Sequence, residues 1–232
     1  MKINKTIYFK NTNTDFDKFA SDYLFEKFKI LEKENQGKIN IALSGGSTPL
    51  PILENLQNED LTWSRYNFFL VDERCVTNED SSSNFGNIQK VFFSKISSAK
   101  FSVVKDGFSC FQSISRYKDE IIKHVPISTN GFPVFDLILL GMGDDGHTAS
   151  LFSGTKALFE KKEFVVFNEV PHLQTVRITL TFPVLKSAKE VIVILKGENK
   201  IKIVKEMYSG KPSNYPISKV AKAHSNIKWL IG

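Results

Sequence analysis

The chain has 232 residues, of which 41% are hydrophobic and 24% charged, an ordinary globular balance, and its formal net charge is +6. The lysines and arginines are scattered without a dense basic block or an RNA-binding signature, so the surplus argues against nucleic acid; it fits a lysine-rich surface or attraction of an anionic substrate. No apolar run approaches the roughly 20 residues of a membrane span.

The N-terminus, MKINKTIYFKNTNTDF, lacks the apolar core of a signal peptide. Cys75 and Cys110 are the only cysteines; they form no C-x-x-C pair, and two make no disulfide framework. A reducing, cytoplasmic location is the expectation. No repeat or linker divides the chain, so one domain over 1–232 is expected. A chain of this length buries about 70–75% of its unfolded surface without staples.

Residues 5–9 read as a short strand, and Asn13 or Thr14 as a helix cap. Phe16, Phe19, Ala20, Tyr23, Leu24, Phe28 and Leu31 then recur at helical spacing. Lys38–Leu43 predicts a strand and Ser44–Thr48 a glycine turn. Pro49 suits the first turn of a helix running to about Asn58. Tyr66–Val71 is a buried strand, followed by a polar loop and a helix near Asn84–Phe93. A strand at Phe101–Val104 and a helix at Gln112–His124 come next. Phe135–Leu140 is a continuous apolar run, and further strands fall at Phe164–Phe167, Arg177–Thr181 and Val191–Leu195. A helix at Glu198–Tyr208 precedes Pro212 and Pro216, and Ile227–Ile231 closes the chain as a strand. Helices alternating with near-continuously apolar strands predict an α/β fold: a mainly parallel sheet with helices on both faces.

Three strands empty into polar or glycine-rich turns. One leads into Ser44, Gly45, Gly46, Ser47 and Thr48, a second into Asp72, Glu73 and Arg74, and a third into Asp144, Asp145, Gly146 and His147. Ligands of open α/β sheets bind beyond the carboxyl ends of the strands, so parallel strands would bring all three turns to one edge. The first turn offers backbone N–H groups and hydroxyls to a phosphate, or is simply a tight strand-to-helix connection with ordinary capping; it is neither a dinucleotide fingerprint nor a P-loop. Arg74 suits an anionic oxygen or developing negative charge, and the trio could equally be a surface ion-pair cluster.

His147 is the candidate general base, since an imidazole exchanges protons near neutral pH, with Asp145 to orient it. A metal is the rival reading of Asp144, Asp145 and His147, but no H-E-x-x-H or paired-cysteine pattern supplies further ligands. Ser44 and Ser47 lack a nucleophile elbow.

Together LSGGSTP (Leu43–Pro49), VDERCV (Val71–Val76), SSNFG (Ser82–Gly86), DLILLGMGDDGHTASLF (Asp136–Phe152), RITLT (Arg177–Thr181) and Gly197-x-x-Lys200 make the chain similar, over nearly its whole length, to the 6-phosphogluconolactonase family. The resemblance implies a Rossmann-like α/β fold of the sugar-phosphate isomerase/deaminase type. It implies a carboxylic ester hydrolase that opens 6-phospho-D-glucono-1,5-lactone to 6-phosphogluconate in the oxidative pentose phosphate pathway, without a cofactor or metal. By motif position, His147 would activate water with Asp145 in support, and Arg74 would face the substrate. The Ser44–Thr48 turn, Arg177 and Lys200 would hold the phosphate, with Asp72 beside them. The family often carries a lysine a few residues before R-I-T, where this chain has His172, so one anion contact is not carried over.

The partner expected is a small phosphorylated sugar lactone; no nucleic acid or membrane is expected, and a monomer is compatible with the sequence. The closest rival is a glucosamine-6-phosphate deaminase or isomerase, with Asp72 as its base. Its patterns resemble D-E-Y and G-H-I-A-F-N-E, where this chain has Asp72-Glu73-Arg74 and Gly146 to Phe152 with Thr148, Ser150 and Leu151. A non-catalytic sugar-phosphate sensor on the same fold would need an output module that these 232 residues leave no room for.

Overall fold

A computed structural model describes residues 6–9, 15–101, 103, 109–209 and 213–232. The chain runs through β1 (Thr6–Phe9), α1 (Phe16–Glu34), β2 (Ile39–Leu43), α2 (Pro49–Leu56), β3 (Tyr66–Leu70), β4 (Asp72–Arg74) and α3 (Asn84–Ile88). It continues through β5 (Ala99–Lys100), α4 (Cys110–His124), β6 (Leu137–Leu140), β7 (Val165–Val170), β8 (Thr175–Leu180) and α5 (Phe182–Ser187). It ends with β9 (Val191–Leu195), α6 (Glu198–Tyr208), α7 (Pro216–Ala223) and β10 (Ile227–Ile231).

Seven strands form one parallel sheet in the order β1-β10-β9-β6-β2-β3-β5. Every residue of β2, β3, β6 and β9 is buried. Successive strand side chains point to opposite faces, so both faces must be covered. Neighbouring phenylalanines show it: Phe68 packs against Phe28 of α1, and Phe69 against Tyr117 of α4. Each such ring contributes about 1.5–3 kcal/mol by leaving water. The α1 stripe lies where the helical spacing puts it, with Phe16, Ala20, Leu24, Phe28 and Leu31 buried. Its cap is Asp15, which accepts the Asp17 N–H at 2.9 Å; Asn13 and Thr14 lie outside the described residues.

Several sequence expectations differ from the structure. Asp72–Arg74 is not a loop but a strand that leaves the parallel sheet and pairs antiparallel with β8, which pairs with β7. Three residues are too few to reveal a strand's period, and their partner lies about a hundred residues away. The strand expected at Phe101–Val104 is centred earlier, at Ala99–Lys100, and Ser102 and Val104 lie outside the described residues. The short helices α5 and α7 carry too few turns to show periodicity.

The cysteine reading also needs correction. Cys75 and Cys110 are joined in a disulfide with Cα atoms 5.6 Å apart. The fold brings the end of β4 to the start of α4, a proximity that residue spacing does not report. The cysteine count therefore gives no argument for reducing surroundings. Among the described residues, no helix is long and apolar enough to cross a membrane.

Candidate active site

From β2 the chain steps to β3 and β5 on one side, whereas β6, β9 and β10 lie on the other. The direction reverses between β2 and β6, where a crevice must open beyond the strand ends. Ser44 bridges it: its N–H donates to the Leu139 carbonyl (3.0 Å), and its Oγ accepts the Gly141 N–H (3.1 Å). A pocket occupies the crevice. Its walls include Ser44 to Pro49, Asp72, Arg74, Asn84, His147, Arg177 and Lys200. The three turns expected to converge do so.

The Ser44–Thr48 turn is not a capped helix start. Thr48 makes no side-chain capping bond to α2, and Pro49 fills the first helical position. The turn is left to line the pocket.

The turn after β6 is closed by Gly146 N–H to Gly143 carbonyl (3.0 Å) and Gly143 N–H to His147 carbonyl (2.9 Å). The His147 ring closes on Gly143, where a Cβ would sit 2.2 Å from Nδ1, so a larger residue would displace the ring. Oδ1 of Asp145 lies 2.5 Å from His147 Nδ1 and also accepts the His147 N–H (3.1 Å). Burial works to raise the Asp145 carboxyl, but those two bonds outweigh it and hold it below the usual carboxylate range. An ionised carboxylate only accepts, so in a neutral imidazole the proton lies on Nδ1 and the lone pair on Nε2. The ring's face stacks on buried Phe152, with centroids 4.0 Å apart. Ala149, in the pocket wall, has φ of 50°, a left-handed conformation that carries roughly 1–3 kcal/mol of strain and is typical of functional turns.

Opposite this turn stand β4 and β8. Their register places Arg74 directly across from Arg177. Like charges in that relation repel. Burial, and then the charge of Arg74, lower the proton affinity of Arg177, with Asp72 and Glu73 working the other way. Asp72 lies 4.0 Å from Arg177 and accepts the Ser150 hydroxyl at 2.5 Å. Nε of each arginine is buried without a hydrogen-bond partner among the described residues. Two facing cations therefore line one pocket. Lys200, in the first turn of α6, adds a third cation to its wall.

Asp145 is the one expected site residue absent from the pocket wall; it is bonded to His147, which lines it. His172 lies outside the wall and meets Phe152 edge-on at 5.5 Å. His224 is a structural histidine, buried with Nε2 2.9 Å from the Ala188 carbonyl. Among the described residues, no three His, Cys, Asp or Glu side chains are placed to hold a metal ion. Residue types alone miss Asn84, Ser150 and Phe152, and they do not show what Glu73 holds. Asn84 sits inside the quoted SSNFG motif, but its partners are visible only in three dimensions.

A profile of the family described as glucosamine-6-phosphate isomerases/6-phosphogluconolactonase matches residues 13–229. A 6-phosphogluconolactonase of Chlamydia pneumoniae is 34% identical over 234 residues, covering 98% of this chain and 88% of the relative. The crystal structure of a Thermotoga maritima 6-phosphogluconolactonase superposes with a TM-score of 0.82 at 30% identity, covering 98% of this chain and 99% of that one. A Trypanosoma brucei 6-phosphogluconolactonase structure gives a TM-score of 0.86 at 24% identity, covering 99% and 97%, which speaks to the fold.

Proposed function

The chain belongs to the glucosamine-6-phosphate isomerase/6-phosphogluconolactonase family, and from that premise we propose that it is a hydrolase opening 6-phospho-D-glucono-1,5-lactone to 6-phosphogluconate in the oxidative pentose phosphate pathway. The observation that carries this reading is His147, oriented by Asp145, in the same pocket as Arg74, Arg177 and Lys200. A proton acceptor and an anion site together suit a substrate with a reactive carbonyl and a distant phosphate.

The lactone carbonyl is already electrophilic, so the attacking water needs a base. Nε2 of His147 takes a proton as the water oxygen bonds to C1, and the carbonyl becomes an oxyanion. Asp145 stabilises the imidazolium that results. Collapse of the tetrahedral species breaks the bond from C1 to the ring oxygen, which receives the proton from His147. The acid product then ionises. Backbone N–H groups of the glycine turns are the donors for the oxyanion. The cross-strand pairing of Arg74 with Arg177 favours a fixed anion over a transient one, so both arginines, Lys200 and the Ser44–Thr48 turn hold the phosphate. Anchoring it fixes C1 against His147.

The deaminase alternative needs Asp72 as a free base. Its hydrogen bond to Ser150 and its proximity to Arg177 speak for a supporting role instead. The test is lactone opening measured above the spontaneous rate, with glucosamine 6-phosphate as the competing substrate. Accelerated lactone opening without ammonia release is expected. No acceleration by folded protein, or ammonia from the amino sugar, overturns the reading.

A further inference from the structure

The pocket wall contains a polar side chain with no part in the steps above. Asn84 opens α3, and its amide bonds twice to β4. Its Oδ1 accepts Nη1 of Arg74 at 2.9 Å, and its Nδ2 donates to the Asp72 carbonyl at 2.9 Å. The Ser82 carbonyl, two residues earlier, accepts the same Arg74 Nη1. Asn84 also presses on the glycine turn: a Cβ on Gly45 would lie 2.1 Å from its Oδ1. One side chain therefore touches the Arg74 strand and the Ser44–Thr48 turn together.

Asn84 is itself held by a buried carboxylate. Glu73 accepts the backbone N–H groups of Arg74 (2.7 Å), Asn84 (2.8 Å) and Phe85 (2.7 Å), and the Ser83 hydroxyl (3.1 Å). Its side chain points away from the face that carries Asp72 and Arg74, since strand neighbours alternate. Burial raises its carboxyl above the usual range, and the three N–H bonds work against that. Leaving such a group unpaired is unfavourable, so the segment around residues 83–85 is pinned to β4.

Resting on the phosphate reading above, we infer that Asn84, seated by Glu73, is a positioning residue that aims the Arg74 guanidinium and sets its separation from the Ser44–Thr48 turn. An arginine with one Nη1 committed to Asn84 and Ser82 has its remaining donors oriented before the anion arrives. Without Asn84 the guanidinium would swing among rotamers and lose that orientation. The residue acts through Arg74 and does not itself take part in the chemistry.

The test is a double-mutant cycle of Asn84→Ala and Arg74→Ala, read by lactone kinetics and by inorganic phosphate affinity from thermal protection. Alone, Asn84→Ala should raise KM and weaken phosphate binding on the order of tenfold, with kcat within about twofold. In the Arg74→Ala background it should change phosphate affinity by less than about twofold, because its target is gone. Equal effects in both backgrounds, or no effect on phosphate affinity in the wild-type background, overturn the inference. If Asn84→Ala does not fold, Asn84→Ser, too short to reach Arg74, carries the same expectations. Coupling in phosphate affinity without lactone turnover by the wild type would sustain this inference and overturn the proposed reaction. A wild type that binds no phosphate overturns this inference together with the phosphate site it rests on.

Discussion

The two sheets of this molecule are built on opposite terms. In the parallel sheet the central strands bury only apolar side chains apart from Asn40 and Asn67, which bond to each other at 2.9 Å. In the antiparallel sheet β4 and β8 bury Asp72, Glu73 and Thr179 and set two arginines face to face. The first arrangement is what stability favours; the second stores repulsion and unpartnered donors where the pocket lies. A locally unfavourable pairing kept beside a cleft marks the place where a ligand completes it.

The widest separation between the regions should appear with His147→Ala. Turnover is expected to fall by about 10²–10⁴, the usual worth of a positioned general base, with the fold retained. Wild-type turnover in a folded variant would remove His147 from the chemistry.

Ile192→Ala in β9 and Arg177→Met in β8 sharpen the contrast directly. The first should lower stability by about 2–5 kcal/mol and leave KM alone, because it empties a fully buried core position. The second should raise KM by about 10–100-fold, the worth of hydrogen bonds to a charged group. It should also leave the melting temperature little changed, since relief of the repulsion with Arg74 offsets the lost pairing with Asp72. A clear loss of stability in Arg177→Met would mean that Arg177 serves the fold through Asp72. Denaturation curves and steady-state kinetics on both variants decide it.

The smallest effect concerns pH. Asp145 is held below the usual carboxylate range in the folded protein. Its contribution is therefore present above the unfolded carboxyl value and lost as the pH falls through the lower folded value. Asp145→Asn should flatten stability across that acidic window, lowering it near neutrality and matching the wild type below the window. An unchanged acid limb would show that the bond to His147 adds no stability.

The comparison also explains what could be read in advance. Val191–Leu195, Glu198–Tyr208 and Ile227–Ile231 begin and end where the sequence pattern places them, because each is long and strongly patterned. The Ser44–Thr48 turn and the Asp145–His147 pair were legible because the glycines and functional side chains lie within a few residues of each other. The strand Asp72–Arg74, the disulfide between Cys75 and Cys110, and the hold of Glu73 on residues 83–85 were not. Each depends on a partner that is distant in sequence, or on which of two neighbouring side chains turns inward.

By itself, then, the sequence determined the α/β class, the apolar central strands and the residue types gathered at one sheet edge, all consequences of local pattern. Tertiary structure decided that Arg74 faces Arg177, that Asp72 bonds to Ser150, and that Asn84 joins an arginine to a glycine turn. Hydrophobic periodicity is written along the chain. Pairing between charged groups exists only once the folded chain brings them within reach.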